Sequence, residues 1–412
     1  MSFTSRRDRL YSIVAVVKKN TLHILLLQAF LVGLVLSIHG TVFQPFILTL
    51  IPSLVIVGLL QSIFNFGAFF LQLFGGHFSD RLGRKKALSI VFLFSSIMGI
   101  IFLAIVLFQP LDPLWTLIML TGGTLILSTG IAFYRTSGLA VAIDSSENST
   151  SETKLQNTGL ILGFFLFAEF GSGIFGPIIA SVSAERGFQF TYLIILVISI
   201  IGFLLTLAFF KSSSNNASIR RPKQSIRSYL GIRPSLRFYY LATSVDSIGW
   251  SLLLGIWFSL LIKYHSYTIA DLAIISIVIS TVLGIGQIPG GWLADRIKKN
   301  YLLGFSNMLG IIALLIWIVS QQLMWVALGY VFLAISITTW VPTVYSYLGE
   351  KVTKEERAFE IGKWSAYRGL ITLPMPLIGG FLAEVWNFYA PMFATLVIVI
   401  IAMILYFRIK VD

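Results

Sequence analysis

Cysteine is absent from the 412 residues. That excludes a disulfide framework, a thiolate metal site and a cysteine nucleophile. Charge is also scarce: 11% of residues are charged, against about 25% in ordinary soluble domains. Acid is scarcer than base, with 17 Asp and Glu against 30 Lys and Arg, for a net charge of +13. What fills the chain instead is apolar side chain, 57% of all residues. One soluble core could not hide it, because cores stop growing near about 250–300 residues. The excess must face lipid, so a secreted domain, a disordered chain and a fibrous repeat are excluded. The start, MSFTSRRDRLYSIVAVVKKN, lacks a long apolar core followed by a small-residue cleavage site, so it does not read as a cleaved signal peptide.

Long apolar runs broken by short polar turns predict twelve spanning helices. They fall at 21–45, 52–75, 87–109, 114–142, 157–182, 189–210, 237–262, 269–290, 301–320, 323–347, 360–384 and 388–408, and are called spans 1 to 12 below. Helices are required because the bilayer core cannot satisfy backbone groups. Runs such as ALSIVFLFSSIMGIIFLAIVLF lack the alternation of a barrel strand. With twelve spans, 26 of the 30 Lys and Arg fall on one side of the membrane. Arg186 and Lys263 fall on the other, and Arg135 and Arg368 lie within spans. The positive-inside rule then puts both termini in the cytoplasm, with the cell membrane as the expected location. The +13 reads as topology and lipid contact rather than nucleic-acid binding.

The polar stretch KSSSNNASIRRPKQSIRS divides the chain. It predicts an N-terminal six-helix bundle at 1–210, a cytoplasmic linker at 211–236 and a C-terminal bundle at 237–412. The halves repeat weakly. QLFGGHFSDR at 72–81 matches QIPGGWLADR at 287–296, and GPIIASVSAERG at 176–187 matches MPLIGGFLAEVW at 375–386. Parallel halves of this kind are a transporter design.

The segment Gly76-x-x-x-Asp80-Arg81-x-Gly83-Arg84-Lys85-Lys86, with the shorter copy Gly291-x-x-x-Asp295-Arg296 after span 8, resembles the signature of the major facilitator superfamily. The resemblance covers essentially the whole chain. It implies an all-α membrane fold of two pseudo-symmetric six-helix bundles and a secondary active transporter rather than an enzyme. It also implies that Gly76, Asp80, Arg81, Gly83 and Arg84 latch the halves on the cytoplasmic side, with Asp295 and Arg296 as a weaker second latch. Physically, the glycines permit a tight turn, and Asp80 can complement a helix N-terminus or an Arg of the facing half.

Four ionisable residues fall inside predicted spans: Arg135, Glu169, Asp246 and Arg368. On insertion scales each costs about 2.5–3.5 kcal/mol at mid-membrane, so each calls for a partner or a wet cavity. Two intra-half pairs are expected, Arg135–Glu169 and Asp246–Arg368. A carboxylate that alternates between an arginine and a proton is a coupling device; the same pair can also simply hold helices together. In span 5, Gly171-Ser-Gly173-Ile-Phe-Gly176-Pro177 partly resembles the family's antiporter motif, and Gly173, Gly176 and Pro177 are expected to kink the helix. Trp250, Tyr345 and Trp364 are candidate cavity aromatics. His39 reads as a solvated or hydrogen-bonded structural residue. Neither metal-ligand spacing nor a nucleotide-binding context is present, so no cofactor or metal is expected. The reading is a monomeric carrier of a small organic solute, moving it by proton-coupled export. Proton-coupled uptake of an organic anion or sugar is the alternative, and a non-transporting membrane sensor is a remoter one.

Overall fold

The computed structural model describes residues 20–72, 74, 83–147, 154–210, 231–352 and 354–409. The described residues form helices and turns, with no strand among them. Span 1 is Asn20–Leu50. Span 2 is Leu54–Asn65, continued by one π-turn at Phe66–Phe70. Spans 3 to 6 are Arg84–Leu107, Pro113–Glu147, Lys154–Glu185 and Phe188–Phe209. Span 7 is broken into Arg237–Leu254 and Trp257–His265. Spans 8 to 10 are Ile269–Arg296, Lys299–Val319 and Leu323–Lys351. Span 11 is broken into Lys354–Thr372 and Met375–Val385, and span 12 is Tyr389–Phe407. Eleven spans are long and apolar enough to cross a bilayer, and Leu54–Phe70 is shorter; at 1.5 Å per residue it covers about 25 Å.

Most spans outrun their apolar cores. Span 8 continues through Gly-Gly-Trp-Leu-Ala-Asp to Arg296, and span 10 through Gly-Glu to Lys351. Beyond the hydrocarbon, water solvates polar side chains while the backbone ladder simply carries on. Turns at the end remote from the termini, here the distal end, are capped locally. Ser53 Oγ accepts from Ile56 N–H, and Thr268 and Asp271 form a reciprocal capping box; this satisfies helix-start donors that lipid would leave bare. At the proximal end Gly83 precedes span 3 with φ +82°, a conformation that L side chains rarely adopt.

The repeat seen in the sequence recurs in the packing. Span 3 packs on spans 4 and 6 as span 9 packs on spans 10 and 12. Span 1 packs on spans 5 and 6 as span 7 packs on spans 11 and 12. The halves meet along two seams, span 5 against span 8 and span 2 against span 11. The outer surface is apolar: Ile285, Ile288, Val197, Leu204, Phe393 and Val397 are all exposed, as a lipid-facing belt requires.

Candidate functional site

The interruption of span 7 is where the site begins. Its first helix ends at Leu254 and the second starts at Trp257, freeing backbone groups that a bilayer interior cannot satisfy. Gln44 of span 1 satisfies two of them. Its Nε2 donates to Gly255 O at 3.1 Å, and its Oε1 accepts from Ser259 N–H at 2.7 Å. One amide side chain of the first half thus splices a broken helix of the second.

Below this break lies a cavity of about 330 Å³ between the halves. Asp246, Ser247 and Trp250 of span 7 line it, with Asn307 of span 9, Trp340 of span 10 and Arg368 of span 11. Span 2 of the first half contributes Gln61, Asn65 and Phe69. Asp246 is 4% exposed. Its Oδ2 accepts from Tyr406 Oη–H at 3.0 Å, while Oδ1 has no hydrogen-bond partner. Tyr406 Oη accepts in turn from Trp340 Nε1–H at 2.9 Å.

Arg368 is held separately. Its Nε donates to Ser247 Oγ at 2.6 Å, and its guanidinium carbon sits 4.7 Å from the Trp340 ring centroid and 4.6 Å from that of Trp364. Such cation–π seating gives a partly buried arginine some of the stabilisation that water would provide. Trp364 is itself fixed by donation to Thr243 Oγ1 at 3.0 Å.

The structure therefore brings Asp246 and Arg368 to one cavity without the direct ion pair expected between them. The aromatic shelf has taken the guanidinium, and Tyr406 has taken the carboxylate. Arg135 and Glu169 do approach, with Nη2 and Oε1 3.9 Å apart. Arg135 is 43% exposed while Glu169 is buried, and neither lines the cavity. Among the candidate aromatics, Trp250 lines the cavity and Trp364 supports Arg368, whereas Tyr345 is exposed and packs edge-on against Trp364. His39 is neither solvated nor hydrogen-bonded. It is buried against Phe43 and Phe102 with both ring nitrogens unpartnered.

Span 5 runs unbroken from Lys154 to Glu185 with Pro177 inside it. Two of its glycines lie at close approaches to other spans. A Cβ on Gly173 would strike the Ser280 side chain of span 8, and one on Gly176 the Ser37 side chain of span 1. Gly76, Asp80 and Arg81 lie outside the described residues, as does the Arg84 side chain. Of the second copy, Asp295 is exposed, and Arg296 stacks over Trp292 at 4.1 Å.

Two features had no reading in the sequence. At the distal end Glu384 of span 11 accepts from Leu54 N–H at 2.5 Å and pairs with Lys263 Nζ at 3.6 Å. It caps span 2 of the opposite half. Near the proximal end Glu360 is buried with Lys363 Nζ at 2.9 Å, Tyr240 Oη at 2.7 Å and Arg233 Nε at 3.9 Å. Lys363 also donates to Gly231 O, which pins the chain entering span 7 to span 11. A Glu and a Lys three apart at a helix start look like ordinary surface charges until their partners are known.

The family model described as Major Facilitator Superfamily matches residues 25–239 and again 239–412. No curated protein matches the chain significantly in sequence. Solved structures do match in fold. A bacterial homologue of the human lysosomal transporter Spinster, in an inward-facing and occupied conformation, is 16% identical; the match covers 94% of this chain and 95% of that one, with a TM-score of 0.69. The human organic anion transporter MFSD10 is 13% identical over 94% and 99%, TM-score 0.64. A D-xylose–proton symporter is 12% identical over 95% and 98%, TM-score 0.71.

Proposed function

The chain belongs to the Major Facilitator Superfamily, and from that premise we propose that it carries a small organic solute by alternating access, coupled to protons through Asp246. It is an integral membrane transporter and not an enzyme. The observation that carries the coupling assignment is the Asp246 carboxylate. It is enclosed, bonded at one oxygen only, and set in the wall of the cavity between the halves. A carboxylate in that position can take a proton from whichever side the cavity faces and give it up on the other. The xylose–proton symporter and the organic anion transporter among the solved relatives support an organic solute and a proton as the transported pair.

Residues 1–210 and 237–412 are the two moving bodies in this reading, with 211–236 linking them. The proximal end, carrying most of the Lys and Arg, is the cytoplasmic one, in the cell membrane. Gln44 and Glu384 then close the extracytoplasmic end, and Gly76, Asp80, Arg81, Gly83 and Arg84 act at the opposite one. Glu169 and Arg135 tie span 4 to span 5. The protein works as a monomer. For direction, the Gly-Pro segment of span 5 favours export by antiport. The guanidinium in the cavity favours uptake of an organic anion with protons.

Reconstituted vesicles enclosing a pH-sensitive dye test the coupling over a compound panel. A solute-dependent proton flux supports the proposal, and its direction separates export from uptake. Solute movement with no proton flux at any pH sinks it.

A further inference from the structure

Arg368 reaches the cavity with its fork unoccupied. Nε is bonded to Ser247 and the guanidinium face rests on Trp340 and Trp364, but among the described residues no acceptor pairs with either terminal nitrogen. The obvious one, Asp246, is turned to Tyr406. An arginine held at Nε and by its face still presents two parallel donors, the geometry that binds a carboxylate bidentately. Around it Leu254, Leu333, Ile337 and Val341 line the same cavity, a surface for an apolar body. A volume of about 330 Å³ is at the small end of ligand sites.

Resting on the coupling reading above, we propose that Arg368 binds the carboxylate of a small monoanionic solute, and that one proton on Asp246 accompanies each anion. The reason is charge balance in a desolvated space. The cavity wall carries one carboxylate and one guanidinium. The groups facing Asp246 from the packed spans are Arg368 of span 11, Tyr406 of span 12 with Tyr239 beyond it, and the uncharged Asn307, Trp250 and Trp340. Among the described residues no second cation lines the cavity to offset an added anion. A monoanion on Arg368 leaves the site one charge negative, and a proton on Asp246 restores neutrality. Anion and proton therefore favour each other's binding, which is symport. A cation would instead compete with the proton for Asp246, which is antiport.

Calorimetry on the purified full chain at pH 7 tests this with lactate, hexanoate and benzoate, each against its amide, and with benzylamine as the cationic counterpart of benzoate. Titrations in two buffers of different ionisation enthalpy count protons. At least one carboxylate binds, its amide binds ten-fold or more weakly, and close to one proton is taken up per anion. Arg368→Lys keeps the charge but loses the fork, and weakens the anion ten-fold or more. Should that variant fold poorly, Ser247→Ala removes only the Nε anchor and weakens binding several-fold. No binding by any carboxylate, equal binding of an amide, preference for benzylamine, or proton release would overturn the proposal. Anion binding without proton uptake would remove the paired proton and the coupling role of Asp246 together. Proton flux driven by benzylamine would keep that coupling role and remove only the anion site.

Discussion

The donor within hydrogen-bond geometry of the Asp246 carboxylate is Tyr406, which also accepts from Trp340, while Asn307 and Trp250 stand close by. Tyr406→Phe would leave both Asp246 oxygens and the Trp340 N–H unpartnered in a buried setting. Unsatisfied buried polar groups cost about 1–3 kcal/mol each, so a loss within that range, read as a lower melting temperature in detergent, is expected. Glu169→Gln should be milder, about 1 kcal/mol or less, because Arg135 is half in solvent and exposed pairs contribute little. At this scale the sequence made the charges legible and their partners illegible. Asp246 and Arg368 stand out because an ionisable group in an apolar span always needs a reason. Trp340, Asn307 and Tyr406 do not, since aromatic and amide residues occur on any face of a helix. Tyr345 is the candidate aromatic on span 10, but five residues from Trp340 is about 140° round the helix, which carries it away from the cavity.

Helix interruptions decide the mechanics of the elements. In the sequence Gly173, Gly176 and Pro177 mark span 5 as the helix expected to kink. The helix breaks fall in spans 7 and 11, the two that supply Asp246 and Arg368. The span 11 break falls at Pro374, where a proline removes a ladder donor; the span 7 break falls at Gly255, where Gln44 binds the freed groups. That partner is 211 residues away, and no local pattern announces it. Gln44→Leu should strip the splice and loosen the distal closure. Because the chain has no cysteine, a Ser251→Cys reporter in the cavity wall can follow this. Its labelling by an impermeant maleimide from the distal side should rise several-fold in the Gln44→Leu background. The two seams also differ. A Cβ on Gly58 would meet the Pro376 carbonyl, while one on Gly173 would meet only the Ser280 side chain. Backbone cannot step aside, so Gly58→Ala should cost about 1–3 kcal/mol of overpacking. Gly173→Ala should cost clearly less by the same thermal assay.

Across the whole molecule, composition and charge carried the furthest. Twelve spans, the repeat and the family were all readable, because lipid imposes length and hydrophobicity on every span and two related halves leave matching segments. What could not be read was the contact between halves, which depends on which faces meet once both bundles have formed. Those contacts, Gln44 to span 7 and Glu384 to span 2, join the halves at the distal end. The cavity with Asp246 lies between the halves, which in the proposed alternating access part at that end. The most direct test of that account is solute-driven proton flux in vesicles reconstituted with Asp246→Asn. With Asp246 as the coupling carboxylate, the proton flux disappears while solute exchange, which needs no net proton movement, continues. Proton flux at the unsubstituted protein's rate through Asp246→Asn would contradict it.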